Sequence, residues 1–272
     1  MAVQYHEVIP KKLLNKGTGF LAGYTHTLNP YTGCSFACSY CYVRQMPVAV
    51  FRREPWGSWV DIKKHAADAL RRELRAAQAQ GPVTIFMSSA TDPYQPVEYS
   101  ARVTRSLLEV MVDNPPAFLL VQTRSPLVRR DIDLLTQLGA AVRVSMTVET
   151  DREDIRKRFT PAAPPIAGRL EALRALSAAG IAVQAAVSPV LPCSGEFATK
   201  LREVADRVCI DDYFMGDGSG GKRTARLNVR ALYEQPELER WYDPSAWRIV
   251  YDQLLQVFPQ QCVFISRQGF EP

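Results

Sequence analysis

The sequence Asn29-Pro30-Tyr31-Thr32-Gly33-Cys34-Ser35-Phe36-Ala37-Cys38-Ser39-Tyr40-Cys41 places three cysteines within eight residues, with C-x3-C-x2-C spacing. A loop this compact can bring three thiolates around one face of a cubane iron–sulfur cluster, a cofactor that proteins hold through cysteine thiolates. The fourth iron is then left without a nearby protein ligand. We therefore predict a metal site at Cys34, Cys38 and Cys41, in which a substrate or cofactor binds the open iron.

The other three cysteines, Cys193, Cys209 and Cys262, are scattered along the chain. A secreted disulfide scaffold would be shorter and more evenly studded with cysteine. A structural zinc site needs four ligands in a closed tetrahedron, and no second Cys-x2-Cys or His pair follows the three clustered cysteines. His26 or Cys193 remains available as a lone fourth ligand. A non-catalytic module that binds zinc or an iron–sulfur cluster therefore stays open as an alternative.

The composition is that of an ordinary globular protein, with 272 residues, 47% hydrophobic and 22% charged. The first sixteen residues lack the apolar core of a secretory leader. The longest apolar runs, at 117–121 and 181–190, are too short to span a bilayer as helices. We therefore expect a cytoplasmic protein without a membrane partner. The formal net charge of +5 permits a nucleic-acid partner but does not require one.

Short apolar runs alternate with amphipathic segments along most of the chain. Helical periodicity, with Gly or Pro near several ends, predicts helices at 61–80, 103–112, 130–138, 167–179, 196–206 and 245–257. Apolar runs predict strands at 83–87, 118–122, 142–148, 181–187, 208–215 and 262–265. This alternation is typical of right-handed βαβ units, so we predict an α/β fold with a parallel sheet covered on both faces. Ligands of such sheets gather at the carboxyl ends of the strands.

Several motifs resemble a known family. The cysteine spacing, with an aromatic residue (Tyr40) directly before the last cysteine, resembles the radical S-adenosylmethionine (SAM) superfamily. The flanking motifs resemble the subgroup related to spore photoproduct lyase, and the likeness runs from about residue 15 to about residue 208. These motifs are Asn29-Pro30-Tyr31-x-Gly33-Cys34, Tyr40-Cys41-Tyr42 and Thr91-Asp92-Pro93-Tyr94-Gln95-Pro96-x-Glu98.

The resemblance implies a [4Fe–4S] cluster whose open iron is chelated by the amino and carboxylate groups of SAM. In this family the reduced cluster cleaves SAM to methionine and a 5′-deoxyadenosyl radical, which abstracts hydrogen from a substrate. The implied fold is a partial (β/α)6 barrel, which we expect at 27–215, with short extensions at 1–26 and 216–272 packed on it. The implied protein partner is an electron donor of flavodoxin or ferredoxin type.

Polar residues follow the predicted strands where the resemblance places SAM. A polar turn follows the strand at 83–87, and polar residues alternate with apolar ones at the end of the strand at 142–148, so that they would point inward together. Segment 188–192 resembles the part of the superfamily that contacts adenine. The predicted cofactor-binding residues are Tyr40, Ser88, Ser89, Thr91, Asp92, Ser145, Thr147, Glu149 and Pro189.

One departure from spore photoproduct lyase leaves the substrate open. That enzyme uses a cysteine as hydrogen-atom donor close to the Thr91-Asp92 element, and Ser88 or Ser89 stands at that position here. An alcohol O–H bond is far too strong to replace a thiol, so repair of DNA photoproducts is kept as an alternative. Cys193 is the predicted substitute donor and Tyr94 the predicted radical relay. Both residues are also compatible with plain packing.

Two further features concern the barrel rim. Basic residues in or near the loops after strands would suit nucleic-acid phosphates, although a solvated charged rim is the simpler interpretation. These residues are Arg124, Arg129, Arg130, Arg152, Arg156, Lys157 and Arg158. Residues 216–223 imitate a phosphate-binding loop, but Arg223 replaces the Mg²⁺-binding Ser or Thr, so we predict a lid at the barrel mouth instead.

Overall fold

The structure is a computed structural model that describes residues 2–272. The strands are β1 (Gln4–Val8), β2 (Leu14–Lys16), β3 (His26–Leu28), β4 (Tyr31–Thr32), β5 (Trp59–Lys63), β6 (Thr84–Met87), β7 (Phe118–Thr123), β8 (Val142–Thr147), β9 (Ala182–Val187), β10 (Val208–Ile210) and β11 (Val263–Ile265). The helices are α1 (Pro47–Val50), α2 (Ala66–Gln78), α3 (Glu98–Ala101), α4 (Val103–Asp113), α5 (Ile132–Leu138), α6 (Glu153–Phe159), α7 (Ile166–Ala178), α8 (Phe197–Arg202), α9 (Tyr213–Gly216), α10 (Lys222–Ala225), α11 (Pro236–Glu239) and α12 (Trp247–Leu255). Among residues 2–272, no helix has the length and apolar character needed to cross a membrane.

The larger of two sheets has eight strands in the order β2-β3-β6-β7-β8-β9-β10-β11. From β3 to β11 neighbouring strands are parallel, whereas the edge strand β2 runs antiparallel to β3. The predicted α/β fold with a parallel sheet is confirmed. Since β2 and β11 are not paired with each other, the barrel is partial rather than closed.

The helix predicted at 61–80 is wrong at its start, because Trp59–Lys63 form β5 and α2 begins at Ala66. β5 pairs with β1 and β4 in a separate three-stranded sheet that the helix–strand alternation did not predict. Trp59 and Val60 are fully buried in it. Aromatic and β-branched side chains favour such a strand, and here they outweigh the helical periodicity of the residues that follow.

The strand predicted at 208–215 is also wrong, because β10 ends at Ile210. The carboxylate of Asp212 accepts hydrogen bonds from the backbone N–H groups of Phe214 and Met215, each at 2.8 Å, and so caps the first turn of α9. The remaining predicted elements are present, with ends that differ by up to four residues.

Side chains alternate between the two faces of the main sheet. Ile85, Met87, Leu119 and Val144 belong to the large core that includes the helices. Strand residues that point to the other face form a separate apolar cluster together with two residues from outside the strands. The cluster consists of Tyr24, Phe86, Leu120, Ala186, Cys209 and Phe270. Tyr24 and Phe270 come from the two ends of the chain, so the terminal segments close this inner face.

A polar layer lies on the same inner face, toward the carboxyl ends of the strands. Gln122 on β7 is level with Ser145 on β8, which is level with Gln184 on β9. The Gln184 amide donates to Ser145 Oγ at 3.2 Å, and the Gln122 amide donates to Thr147 Oγ1 at 2.8 Å. This polar layer lies between Leu120 on one side and Ala186 and Cys209, which are closer to the carboxyl ends of their strands, on the other.

We expect Phe270→Ala to lower the free energy of unfolding by about 3 kcal/mol, because it removes a buried ring that packs between Phe20 and Phe86. Phe51→Ala is the matched control, since the Phe51 ring is 82% exposed and its loss should change that free energy by less than about 0.5 kcal/mol. Urea unfolding followed by circular dichroism measures both. Equal destabilisation by the two changes would contradict this account of the inner face.

Candidate metal centre and cofactor site

The three clustered cysteines lie on the loop that leaves β4. Cys34 and Cys38 are buried, Cys41 is half-buried, and all three are free thiols. Burial raises the pKa of each thiol, for Cys41 to about 12. Burial thus favours the protonated thiols, and a metal that binds them would release their protons.

The donor set of the loop can be compared with two kinds of metal site. Within residues 2–272, no group of three or more His, Cys, Asp or Glu side chains is arranged to hold a metal ion. A structural zinc needs four donors that converge on one point, with Zn–S bonds of about 2.3 Å. A four-iron cluster binds each thiolate at a different iron. Three cysteine thiols on one loop have the chemistry of cluster ligands.

The two residues considered as a fourth zinc ligand have other neighbours. The His26 ring lies 2.9 Å from Thr25 Oγ1. Cys193 lies near Asp151 and Arg152, and burial raises the pKa of its thiol to about 12. Neither environment makes the side chain a ready partner of the cysteine loop.

The segment after β6 holds the backbone of the cysteine loop. The fully buried Gln95 side chain accepts a hydrogen bond from Ser35 N at 2.9 Å and donates one to the Gly33 carbonyl at 3.2 Å. Thr91 Oγ1 donates to the same carbonyl at 2.5 Å. Two of the three motifs that carried the family resemblance, the one ending at Cys34 and the one beginning at Thr91, are therefore in direct contact. Thr91, which was predicted to bind SAM, donates its hydroxyl hydrogen bond to the cysteine loop.

A tyrosine anchors each end of the cysteine loop to a buried glutamate. At the start, Tyr31 OH donates to Glu98, which also accepts from Thr104 N at 2.9 Å and from Arg130 at 2.5 Å. Near the end, Tyr40 OH donates to Glu149 Oε1 at 2.5 Å. The loop is thus fixed before its first cysteine and again between its second and third cysteines by charge-assisted hydrogen bonds, which are stronger than those between neutral groups.

Glu149 belongs to a buried ionic network. Arg169 Nη1 donates to its second carboxylate oxygen at 2.6 Å, and Arg124 pairs with the first oxygen and lies 3.1 Å from Tyr40 OH. Burial by itself would raise the pKa of Glu149, but Arg169 and Arg124 outweigh it and lower that pKa to about 2. The carboxylate predicted to contact SAM is therefore fully engaged by Tyr40 and two arginines.

Asp92 also has structural partners. Its carboxylate accepts hydrogen bonds from Tyr94 N at 2.9 Å, Thr123 Oγ1 at 2.8 Å and Arg124 N at 2.8 Å. It thereby joins the turn after β6 to the end of β7 and orients the backbone that carries Arg124.

Thirteen buried side-chain polar atoms lack a hydrogen-bond partner among the described residues. Two of them, Ser88 Oγ and Gln122 Oε1, lie directly after β6 and near the end of β7. Ser88 follows β6 and has a left-handed backbone (φ 78°), which is uncommon for a residue with a side chain. Buried polar atoms are normally paired, so these two fit a site that is completed by a polar ligand.

The other predicted residues lie in three different places. The amide of Asn29 donates to Ser89 Oγ at 3.3 Å, and the Ser89 carbonyl accepts from Tyr42 OH at 2.6 Å. Pro189 follows β9 at a cis peptide bond. Tyr94 is fully buried, and burial together with Asp131 and Glu98 raises its pKa well above the ordinary range. Tyr94 thus packs against the network below the loop, away from solvent.

Sequence reasoning missed Gln95, Glu98 and Arg169 as parts of the site. Gln95 and Glu98 stood inside a quoted motif, so the signal was present but was not assigned to the cysteine loop. Arg169 shared the helical stripe of Ala172, Leu173 and Leu176, which are buried. A charged residue on an apolar stripe of a helix was the available signal for a buried ion pair.

The basic residues of the rim are mostly engaged in the fold. Arg130 pairs with Glu98 and Asp131, Arg152 with Asp154, and Arg156 with Glu153. These pairs reduce the charge available for nucleic-acid phosphates.

In the predicted lid, the Asp217 carboxylate accepts hydrogen bonds from the backbone N–H groups of Ser219, Gly221 and Thr224, which makes this segment a capped turn.

Curated relatives and solved structures are similar to most of this chain. An uncharacterized protein of Methanocaldococcus jannaschii is 33% identical over 172 residues, 63% of this chain and 62% of the relative. An uncharacterized protein of Acidianus two-tailed virus is 32% identical over 193 residues, 67% of this chain and 62% of the relative. The chain therefore spans somewhat less than two thirds of the length of these relatives.

Solved structures share the fold at low sequence identity. Spore photoproduct lyase in complex with a dinucleoside spore photoproduct superposes with a TM-score of 0.67 at 15% identity, over 96% of this chain and 81% of that one. Streptococcus suis SuiB bound to the precursor peptide SuiA gives 0.56 at 14% identity, over 88% and 48%. The sequence model of the radical SAM superfamily matches residues 28–196, more than half of the chain. The chain belongs to the radical SAM superfamily, whose cofactors are a [4Fe–4S] cluster and SAM.

Proposed function

We propose that Cys34, Cys38 and Cys41 hold the [4Fe–4S] cluster of a radical SAM enzyme that abstracts hydrogen from a substrate still to be identified. The observation that carries this proposal is a loop with three free thiols, anchored before the first cysteine and before the last by buried tyrosine–glutamate pairs. When bound, the reduced cluster supplies the electron that cleaves SAM to methionine and a 5′-deoxyadenosyl radical.

The chain's own residues would perform three tasks around these cofactors. Gln95 and Thr91 fix the loop backbone, and the network of Glu149 holds Tyr40 between the second and third cysteines. The unpaired Ser88 Oγ and Gln122 Oε1 offer hydrogen bonds to SAM at the edge of the sheet. The apolar cluster on the same inner face of the sheet would keep water away from the radical.

Two alternatives remain distinguishable from this proposal. Repair of a DNA photoproduct would need a hydrogen-atom donor where Ser88 or Ser89 stands, and an alcohol O–H bond is far too strong for that role. We therefore expect UV-irradiated DNA to raise SAM cleavage little above the rate without substrate. A non-catalytic metal-binding module would bind metal without cleaving SAM at all.

Cys38→Ala should abolish the cluster, because the remaining two thiolates cannot hold it. Cys262→Ala is the matched control, since Cys262 lies in the turn before β11 and should leave the cluster intact. After anaerobic reconstitution, iron and sulfide content report the cluster, and 5′-deoxyadenosine formed from SAM with dithionite reports cleavage. A cluster that survives Cys38→Ala, or zinc in place of iron in the native chain, would overturn the proposal.

Gly33→Ala should also lower the iron bound per chain, although it removes no ligand. Gly33 has φ +84°, and an added Cβ would lie 2.6 Å from the Trp59 carbonyl oxygen, so the loop must shift. Gly195→Ala is the control, because no atom lies within 4 Å of the corresponding position. Iron content after identical reconstitution measures the effect. If Gly33→Ala bound as much iron as Gly195→Ala, the loop would not need its observed conformation.

A further inference from the structure

One surface of the chain lies directly beside the third cysteine of the loop. The turn Tyr42–Gln45 follows Cys41, and both α1 and α10 pack against this turn. Cys41 is also the most exposed of the three clustered cysteines. We call the surface formed by residues 42–53 and 222–230 the Cys41 surface.

The Cys41 surface is rich in positive charge, although Arg52 is paired with Glu54 at 2.9 Å and with Asp61 at 3.1 Å. Residues 41–53 contain Arg44, Arg52 and Arg53, and residues 218–233 contain Lys222, Arg223, Arg226 and Arg230, with no acidic residue in either segment. Lys222, Arg226 and Arg230 are exposed. None of these three forms a salt bridge within residues 2–272. This contrasts with the basic residues of the rim, most of which are paired.

Large apolar side chains are exposed next to these charges. Phe51 is 82% exposed and Val50 is 58% exposed, at the end of α1. Exposed apolar groups beside unpaired charge are typical of a surface that meets a partner. Small, charged and transient interfaces of this kind are used by electron-transfer proteins.

We propose that the Cys41 surface docks an acidic electron-transfer protein of flavodoxin or ferredoxin type. The inference rests on the proposed function, because the chain needs an electron donor when its cysteines hold the cluster. One electron passes to the cluster, so that the donor is oxidised by one electron and the cluster is reduced by one. No atom or proton is exchanged. The positive charges steer the acidic donor, and the apolar tip at Phe51 contacts the region around its redox group.

The position of the surface favours an electron donor over nucleic acid. Both partners are attracted by lysine and arginine. Electron transfer, however, also requires the partner to approach a cluster ligand, and this patch begins at the residue after Cys41. Nucleic acid does not need to approach a cluster ligand. Binding of nucleic acid at this surface in place of the electron donor would therefore contradict the proposal.

The test uses the full chain and a purified acidic flavodoxin. The variant Lys222→Glu with Arg226→Glu reverses charge on the Cys41 surface. The control Arg72→Glu with Arg75→Glu makes the same change of net charge on α2, where both arginines are exposed and form no salt bridge within residues 2–272. Flavodoxin binding is measured on the cluster-free chain by calorimetry. Cluster reduction is followed anaerobically by absorbance, once with reduced flavodoxin and once with photoreduced deazaflavin.

We expect the Lys222/Arg226 variant to bind flavodoxin about tenfold more weakly and to be reduced by it about tenfold more slowly at low salt, while deazaflavin reduces it at the native rate. The control pair should stay within about twofold of the native chain in every assay. Phe51→Ser should weaken flavodoxin binding without changing the salt dependence of the reduction rate.

Equal flavodoxin binding by the native chain and the Lys222/Arg226 variant would overturn the docking proposal. So would a loss of nucleic-acid binding in that variant with flavodoxin binding unchanged. The binding assay on the cluster-free chain keeps this proposal separate from the proposed function, because a chain that never assembles a cluster would still reveal whether flavodoxin binds at the Cys41 surface.

Discussion

Two buried tyrosine–glutamate hydrogen bonds determine how the cysteine loop is held. Tyr31 donates to Glu98 before the first cysteine, and Tyr40 donates to Glu149 before the last. Each glutamate is in turn paired with buried or half-buried arginines. Removing one partner of a buried ion pair typically costs about 3–5 kcal/mol, because it leaves the other charge unpaired. A loop with no regular secondary structure around its cysteines is thereby tied to two buried ionic networks.

The same networks connect the loop to the ends of successive strands. Glu149 follows β8, Arg124 follows β7 and Asp92 follows β6, and these residues are joined by hydrogen bonds. Hydrogen bonds between residues of the chain itself therefore occupy most of the polar side chains at the carboxyl edge of the parallel sheet. The atoms at this edge that are free to bind a cofactor include Ser88 Oγ and Gln122 Oε1, which are buried and have no hydrogen-bond partner among the described residues. The residues that look most suited to ligand binding by type are, in this chain, largely occupied in holding the loop.

The sequence was informative about the fold because helix and strand periods differ. Apolar runs at 118–122 and 142–148 became neighbouring parallel strands almost without change. The small sheet of β1, β4 and β5 could not be predicted, since its strands are short and pair across long separations in sequence. The cysteines proposed to bind the cluster could be named from spacing alone, whereas the partners of Glu149 depend on the approach of Arg169 from α7. That approach is set by tertiary packing, which a single sequence does not encode locally.

Mössbauer and EPR spectroscopy of the anaerobically reconstituted, ⁵⁷Fe-labelled chain, with and without SAM, tests the central claim most directly. The account predicts about four irons per chain, with one iron site whose spectrum changes when SAM is added, because three cysteines leave that iron open. A two-iron cluster, or a four-iron cluster whose spectra are unaffected by SAM, would contradict it.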